Sequence, residues 1–313
     1  MLGTLYGYNL IINPDETTNF FPPINRESII KPNYFMKPDG TLAKSSKLCT
    51  LSAYTNVYDT WQSYIDKIKE TNNGCEVQLY TTIDTTDIHP DIIRLIKKEI
   101  TKVIVPSKYM KSILDKHEIN SEYTNWYSRG YLYANSDYIP KQINKKEIIF
   151  YYNGLNSPIT NLNNMVEVFD TALKGTDHFL ILRTNFFGNL LESPNIKYSD
   201  ESVSAKNAAN IYNLCDYVVS FSRTAGLNRD ILEAKSFNKP IIAHDKGAFA
   251  ELKLKHDKWI TLPSSEEPVE CDIPASDILS NDADFDYKKA YYGKWWEIDC
   301  EVAIEIIKNL VKT

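Results

Sequence analysis

Short apolar runs recur along most of the chain, and each is followed by a stretch whose apolar positions fall three and four residues apart. Leu48–Tyr54 reads as a strand and Asp59–Glu70 as a helix, with a turn at Asn73-Gly74. Glu76–Ile83 is a strand. Pro90–Ile100 is a helix that turns Ile92, Ile93, Leu95 and Ile96 toward a core. Lys102–Val105 is a buried strand, and a helix follows Pro106-Ser107 through Leu114. A second alternation begins near Glu147. Its strands are Ile148–Tyr152, Phe179–Leu182, Val218–Phe221 and Pro240–Ala243. Its helices are Asn161–Leu173, Ser204–Leu214 and Arg229–Ser236. A last helix is expected over about 290–311, carrying Trp295, Trp296, Ile298, Val302, Ile304, Ile307 and Leu310. Strands alternating with helices predict an α/β protein with parallel sheets. Two such halves imply two Rossmann-like domains facing across a cleft, residues 1–143 and 144–313, linked near Pro140–Lys146. Residues 1–45 are irregular, because Pro14, Pro22, Pro23, Pro32 and Pro38 break any long element.

Composition narrows the class. With 43% hydrophobic and 24% charged residues, the 313-residue chain has the makeup of a soluble globular protein. No apolar run approaches the roughly 20 residues a membrane span needs. The N-terminus lacks the basic start and apolar centre of a secretory signal. The five cysteines (Cys49, Cys75, Cys215, Cys271 and Cys300) are scattered and odd in number, which favours reduced thiols in a cytoplasmic protein. The net charge of −6 sits mainly in the second half and makes nucleic acid an unfavourable partner. Lys97, Lys98, Lys102, Lys108 and Lys111 cluster in the slightly basic first half. They suit either a solvated helix face or peripheral contact with an anionic membrane surface. No cluster has metal-ligand spacing.

The stretch Tyr212–Leu252 carries the candidate chemistry. It reads strand, small polar turn (Ser222–Asn228 around Gly226), helix, strand. A helix starting just after a parallel strand aims unpaired N–H groups at the sheet's carboxyl edge, where anions bind. Its first turn suits a phosphate, and Glu233 one turn further on suits a sugar hydroxyl. Arg183 ends a strand at the same edge, and Arg223 and Arg229 flank the turn. His244 follows the last strand of the segment. In the first half, Asp84, Thr85, Thr86, Asp87 and His89 follow the Glu76–Ile83 strand toward the cleft; His89 suits either work near a transferred group or a helix cap before Pro90.

Ser222, Gly226, Glu233, Ala234, Lys239, Pro240, Ile241 and Ile242 match the donor-binding motif S-x-x-E-G-F-G … E-A … G-x-P-V-I. The chain thereby resembles retaining glycosyltransferases of the GT-B fold, specifically glycosyltransferase family 4. Thr101–Leu114, Ser128–Pro140, Glu147–Phe169 and Glu201–Leu214 are similar to further landmarks of that family, in its order. The resemblance implies transfer of a sugar from a nucleotide-sugar donor to an acceptor glycan, lipid or protein, without a metal or any cofactor besides the donor. It implies a donor site of Gly154, Arg183, Ser222, Thr224, Gly226, Leu227, Asn228 and Glu233, with Arg183 and His89 as the catalytic pair and the last helix folded back on the first domain. Three family positions differ. Leu155 and Thr160 replace an Arg and a Lys, and Ala225 replaces the first Glu of the motif. Each lost charge removes stabilisation of the departing diphosphate. The alternative is therefore a catalytically impaired GT-B protein that binds or scaffolds; an unrelated two-domain enzyme such as an epimerase is a third reading.

Overall fold

The computed structural model describes residues 48–52, 62, 65–66, 69, 76–124, 146–154, 156, 159–184, 190–199, 205–224, 226, 228–254, 256, 258–269 and 291–312. The irregular 1–45 stretch, the 128–140 landmark, most of the interdomain link, and Leu155, Ala225 and Leu227 lie outside the described residues.

In the first lobe, β1 (Leu48–Ser52), β2 (Glu76–Tyr80), β3 (Lys102–Val105) and β4 (Ser121–Tyr123) form a parallel sheet in that order. Helical backbone at Gln62, Ile65, Asp66 and Lys69 matches the first expected helix. Helix α1 (Pro90–Glu99) starts with proline, whose missing N–H is an orphan there in any case, and its Ile92 and Ile96 face inward one turn apart. Helix α2 (Lys108–Lys116) is capped by Ser107, which accepts the Met110 N–H at 3.1 Å. Val77, Leu79, Val103, Val105, Met110, Ile113 and Leu114 close the core. Each such buried side chain contributes about 1.5–3 kcal/mol by leaving water. Strand β4 was not expected from the sequence. Its Ser-Glu-Tyr has no apolar run and is a strand because β3 offers it a free edge.

The second lobe contains β5 (Ile149–Asn153), α3 (Leu162–Leu173), β6 (Phe179–Arg183), β7 (Ile196–Ser199), α4 (Ala205–Leu214), β8 (Tyr217–Val219), α5 (Arg229–Ser236), β9 (Ile241–Ala243), α6 (Ala248–Lys253) and β10 (Trp259–Thr261). Its parallel sheet runs β10-β9-β8-β5-β6-β7. Phe150 and Tyr152 of β5 enter one core, with Val166, Phe169 and Leu182; Tyr151 enters the other, with Tyr212, Val218 and Ile231. A strand buried on both faces is what a helix-covered parallel sheet requires.

The C-terminal segment departs from the sequence reading. Residues 294–298 are not helical. They form β12 (Lys294–Ile298), antiparallel to β11 (Ser264–Pro268), and only α7 (Cys300–Val311) is helix. Gly293 holds φ +98 and passes so close to Thr86 and Asp87 that a Cβ would stand 3.0 Å from each side chain. Asp299 then caps α7, accepting the Val302 N–H at 3.0 Å. Among the described residues α7 packs on its own lobe and not on the first. Ala303 and Ile307 lie in the core with Phe150, Val166 and Phe169, against α3. Trp295 and Trp296 are buried, as packing residues.

The lobes touch directly. Glu251 of α6 accepts the N–H groups of Lys108 and Tyr109 at 3.2 and 2.6 Å, and Ala248 joins the first lobe's core. Thr86 and Lys294 exchange two hydrogen bonds of 2.9 Å each.

Candidate functional site

The chain leaves β5 toward β6 and β7 on one side and returns at β8 on the other. Ligands of open α/β sheets bind in the crevice outside such a reversal. Asn153 and Arg183, the last residues of β5 and β6, are register partners there. Arg183 Nη1 donates to Asn153 Oδ1 at 2.8 Å, and Asn153 Nδ2 donates to Asp230 Oδ1 at 3.1 Å. All three are buried. An isolated buried cation costs several kcal/mol, so the carboxylate one amide away matters. Arg183 therefore reaches the first turn of α5 through Asn153. Tyr151 lies alongside. Burial and Asp230 push its phenol pKa up against the opposing pull of Arg183, so it stays a phenol.

Glu233, one turn along α5, is 3% exposed and accepts the Tyr212 hydroxyl at 2.8 Å. Tyr212 is itself held edge-on by Tyr151 (5.1 Å between rings) and stacked on Phe237 (5.2 Å). Burial, followed by Asp230 and Glu233, raises its phenol far above the ordinary range. Glu233 is thus a fixed carboxylate with a fixed donor.

Among the described residues of the turn, the amides of Ser222, Arg223, Thr224 and Gly226 all have partners. Ser220 Oγ accepts the Ser222 N–H, and Ser222 Oγ accepts that of Thr224. The Arg223 N–H goes to the Ile159 carbonyl at 2.7 Å. Thr224 Oγ1 accepts the Gly226 N–H at 2.7 Å. Asn228 caps α5, its Oδ1 accepting from Asp230 at 2.9 Å and Ile231 at 3.4 Å, while its Nδ2 donates to Ser220. A phosphate at this turn competes with those side chains and faces Asp230 at the positive end of the helix.

Gly154 donates its N–H to the Arg183 carbonyl at 3.1 Å, and the Tyr152 hydroxyl lies 2.2 Å from where a Cβ would stand. Thr160, at the family's Lys position, bonds to Tyr152. Arg223 does not replace a lost cation; it pairs with Glu297 and lies 4.6 Å over the Trp295 ring. The Arg229 side chain lies outside the described residues. His244 is wholly buried, stacked on Phe249 at 4.4 Å, and burial lowers its pKa to about 4. It is a neutral tether of the turn.

From the first lobe, Asp84 accepts the Thr224 hydroxyl at 3.0 Å. Burial raises its pKa, and the Thr224 hydrogen bond opposes that rise. His89 caps α1, its Nδ1 accepting the Asp91 N–H at 3.1 Å, with its ring edge-on to Tyr292 at 5.1 Å. Neutral His89 thus carries its proton on Nε2 and presents a donor rather than a base. Asp87 bonds His117 at 2.6 Å. Sequence reasoning missed Asn153, Tyr212 and Asp230 as site residues. Asn153 had a signal, a polar residue ending an apolar strand; Tyr212 had none, since its partner is 21 positions away.

Among the described residues, no three His, Cys, Asp or Glu side chains gather as metal ligands, and no helix is long and apolar enough to cross a membrane. The clustered lysines are largely spoken for. Lys98 pairs with Glu99, Lys102 with Glu122, Lys111 with Asp115, and Lys108 lies over Tyr123. That pairing removes much of the pull on an anionic surface.

No protein-family model matches the sequence, and no curated protein does. Solved structures do. TarM superposes with a TM-score of 0.50 at 14% identity, over 86% of this chain and 49% of TarM. A trehalose-6-phosphate synthase, studied for enzymatic glycosyltransfer with retention, gives 0.50 at 10% identity, over 69% of this chain and 63% of that one. The fold is GT-B. TarM from S. aureus in complex with UDP and other molecules gives a TM-score of 0.47 at 15% identity, over 78% of this chain and 46% of that one. The chain spans about half the length of the TarM structures it matches. At these identities the GT-B likeness establishes architecture, and function rests on the site.

Proposed function

We propose that this GT-B chain is a glycosyltransferase. It takes a nucleotide sugar at the α5 end of the second lobe. It passes the glycosyl group, with anomeric configuration kept, to a glycan, lipid or protein acceptor held by the first lobe. One observation carries the reading: a buried Arg183–Asn153–Asp230 chain and a buried Tyr212–Glu233 pair meet under the same helix turn, at the sheet's point of reversal. The retaining trehalose-6-phosphate synthase that shares the fold supports it.

In this mechanism the glycosidic C–O bond breaks with its electron pair left on the diphosphate, an acceptor hydroxyl oxygen bonds the anomeric carbon from the same face, and the acceptor's proton passes to an oxygen of the departing diphosphate. Arg183 supplies positive potential from beneath the turn, in a region of low dielectric where fixed charge counts most. Glu233 accepts a ribose hydroxyl in exchange for, or alongside, Tyr212. His89 donates from Nε2 to an oxygen of the transferred sugar. Docked lobes keep water from the donor. Neither a metal nor a cofactor besides the donor enters the scheme.

Calorimetry with UDP, GDP and ADP and their glucose esters tests the reading. The expected result is binding of one nucleotide series and slow donor hydrolysis, both lost in Glu233→Ala. Binding by none of them withdraws the assignment. The occupied amides of Ser222, Thr224 and Gly226 favour a second reading, a GT-B protein that binds or scaffolds without catalysis. Nucleotide binding with no hydrolysis and no transfer to any acceptor tested selects it.

A further inference from the structure

The turn proposed to hold the donor is not built by the second lobe alone. Thr224 donates its hydroxyl proton to Asp84 Oδ1 at 3.0 Å, across 140 positions of sequence. A hydroxyl has one proton, so giving it to Asp84 fixes the lone pairs, and one of these accepts the Gly226 N–H at 2.7 Å. The chain Asp84, Thr224, Gly226 therefore ties two residues of the turn to the opposite lobe. Shape agrees with chemistry. A Cβ on Gly226 would stand 2.5 Å from Asp84 Oδ1 and 3.3 Å from the Ile83 carbonyl, so the loop that follows β2 lies against Gly226 with no room for a side chain. The docking is reinforced on either side by Glu251 on the α2 N-terminus and by Thr86 with Lys294.

We propose that Asp84 is a positioning residue for the donor turn: it acts through Thr224, so that the turn has its binding shape only while the first lobe is docked. The inference rests on the donor-site reading above. It extends that reading by making nucleotide affinity depend on a residue of the acceptor lobe. A carbonyl-type oxygen at this position is sufficient, since the requirement is to accept one hydrogen bond. A longer side chain is not tolerated, because the space beside Gly226 is filled.

The test is calorimetric titration with UDP, GDP and ADP of the unaltered chain and of Asp84→Ala, Asp84→Asn, Asp84→Glu, Thr224→Val and the double variant Asp84→Ala/Thr224→Val. Asp84→Ala and Thr224→Val are each expected to weaken nucleotide binding about tenfold, and the double variant no more than either alone, since both cut the same chain. Asp84→Asn should bind within about twofold of the unaltered protein, because its amide oxygen still accepts from Thr224. Asp84→Glu should lose about as much as Asp84→Ala. Rescue by Asn separates positioning from bulk stability, which thermal melts of the same variants record. Should Asp84→Ala not fold, the contrast between Asn and Glu still decides. Additive losses, or equal affinity for Asn and Glu, overturn the inference while nucleotide binding by the unaltered chain leaves the donor-site reading standing. An unaltered chain that binds no nucleotide overturns both.

Discussion

His244 holds the carbonyl of Ser222 at 2.9 Å through Nε2, while its Nδ1 accepts the Lys246 N–H at 3.1 Å. The second bond fixes the tautomer: Nδ1 is bare, so Nε2 carries the proton it gives to Ser222. A protonated ring has no lone pair left for Lys246. Burial accordingly lowers the pKa to about 4, with the Ser222 bond opposing. The folded state thus resists protonation where the unfolded chain, with its pKa near 6.5, accepts a proton. This contribution is complete above about pH 6.5 and is lost as pH falls toward 4, amounting to about 3 kcal/mol. Urea unfolding at pH 7 and pH 5 should show about 2 kcal/mol of that loss, and His244→Gln should remove this pH dependence while costing about 2 kcal/mol at pH 7. An unchanged pH profile in the variant would contradict the assignment.

Gly226→Ala places a methyl group where Asp84, Thr224 and the Ile83 carbonyl already stand. The two severe contacts are with the Asp84 and Thr224 side chains, which can rotate away only by breaking the hydrogen bond between them. The expected cost is about 1–3 kcal/mol, with the lobes pushed apart. Small-angle scattering should report a larger radius than for the unaltered protein. An identical profile and melting temperature would show that the contact is not maintained in solution.

Asn228→Ala removes the cap that occupies the N–H groups of Asp230 and Ile231. Helix α5 should lose about 1 kcal/mol. Nucleotide affinity should nevertheless rise about threefold, since two amides become available to a phosphate. Calorimetry decides the sign, and a fall in affinity would mean that the cap aids the ligand instead of competing with it.

Tyr212→Phe keeps the stacking on Phe237 but deletes the hydroxyl that serves Glu233. Loss of a bond to a buried carboxylate costs about 1.5–3 kcal/mol. Changing Glu233 to Gln as well should recover part of that, because the carboxamide carries no charge to strand. Chemical denaturation of the two single variants and the double measures the coupling; strict additivity would show that the pair is not a unit.

Much of the architecture was legible in the chain. Lys102–Val105 and Arg229–Ser236 appear with the bounds the sequence predicts, since each couples a clean apolar pattern to a strong boundary: Pro106-Ser107 after the strand, Asn228 before the helix. Strand β12 misleads because Trp295, Trp296 and Ile298 continue into Val302 and Ile304 at helical spacing. The break lies in Gly293 and in Asp299, whose cap belongs to the shorter helix. Strand β11 has no pattern at all, as Ser-Ser-Glu-Glu-Pro is extended only through pairing with β12. The site was half visible. Glu233 and Arg183 follow from position on a strand or helix. The bonds that hold them, to Tyr212 and Asn153, join distant segments, as does Asp84 to Thr224. Side-chain occupation of the turn's amides, by contrast, is local: Ser220, Ser222, Thr224 and Asn228 each accept the N–H two positions on.

Thr86 and Lys294 grip each other twice at one point, a main-chain bond beside a hydroxyl bond. A grip of that kind opposes sliding far more than it opposes twisting about the line between the two residues. With β12 running into α7, which packs in the core of its own lobe, the pair adds a third hold between the lobes to those made by Asp84 on Thr224 and by Glu251 on Lys108 and Tyr109. The seam is thus fastened through three separate stretches of the second lobe, and loss of any one bond leaves the other two fastenings in place.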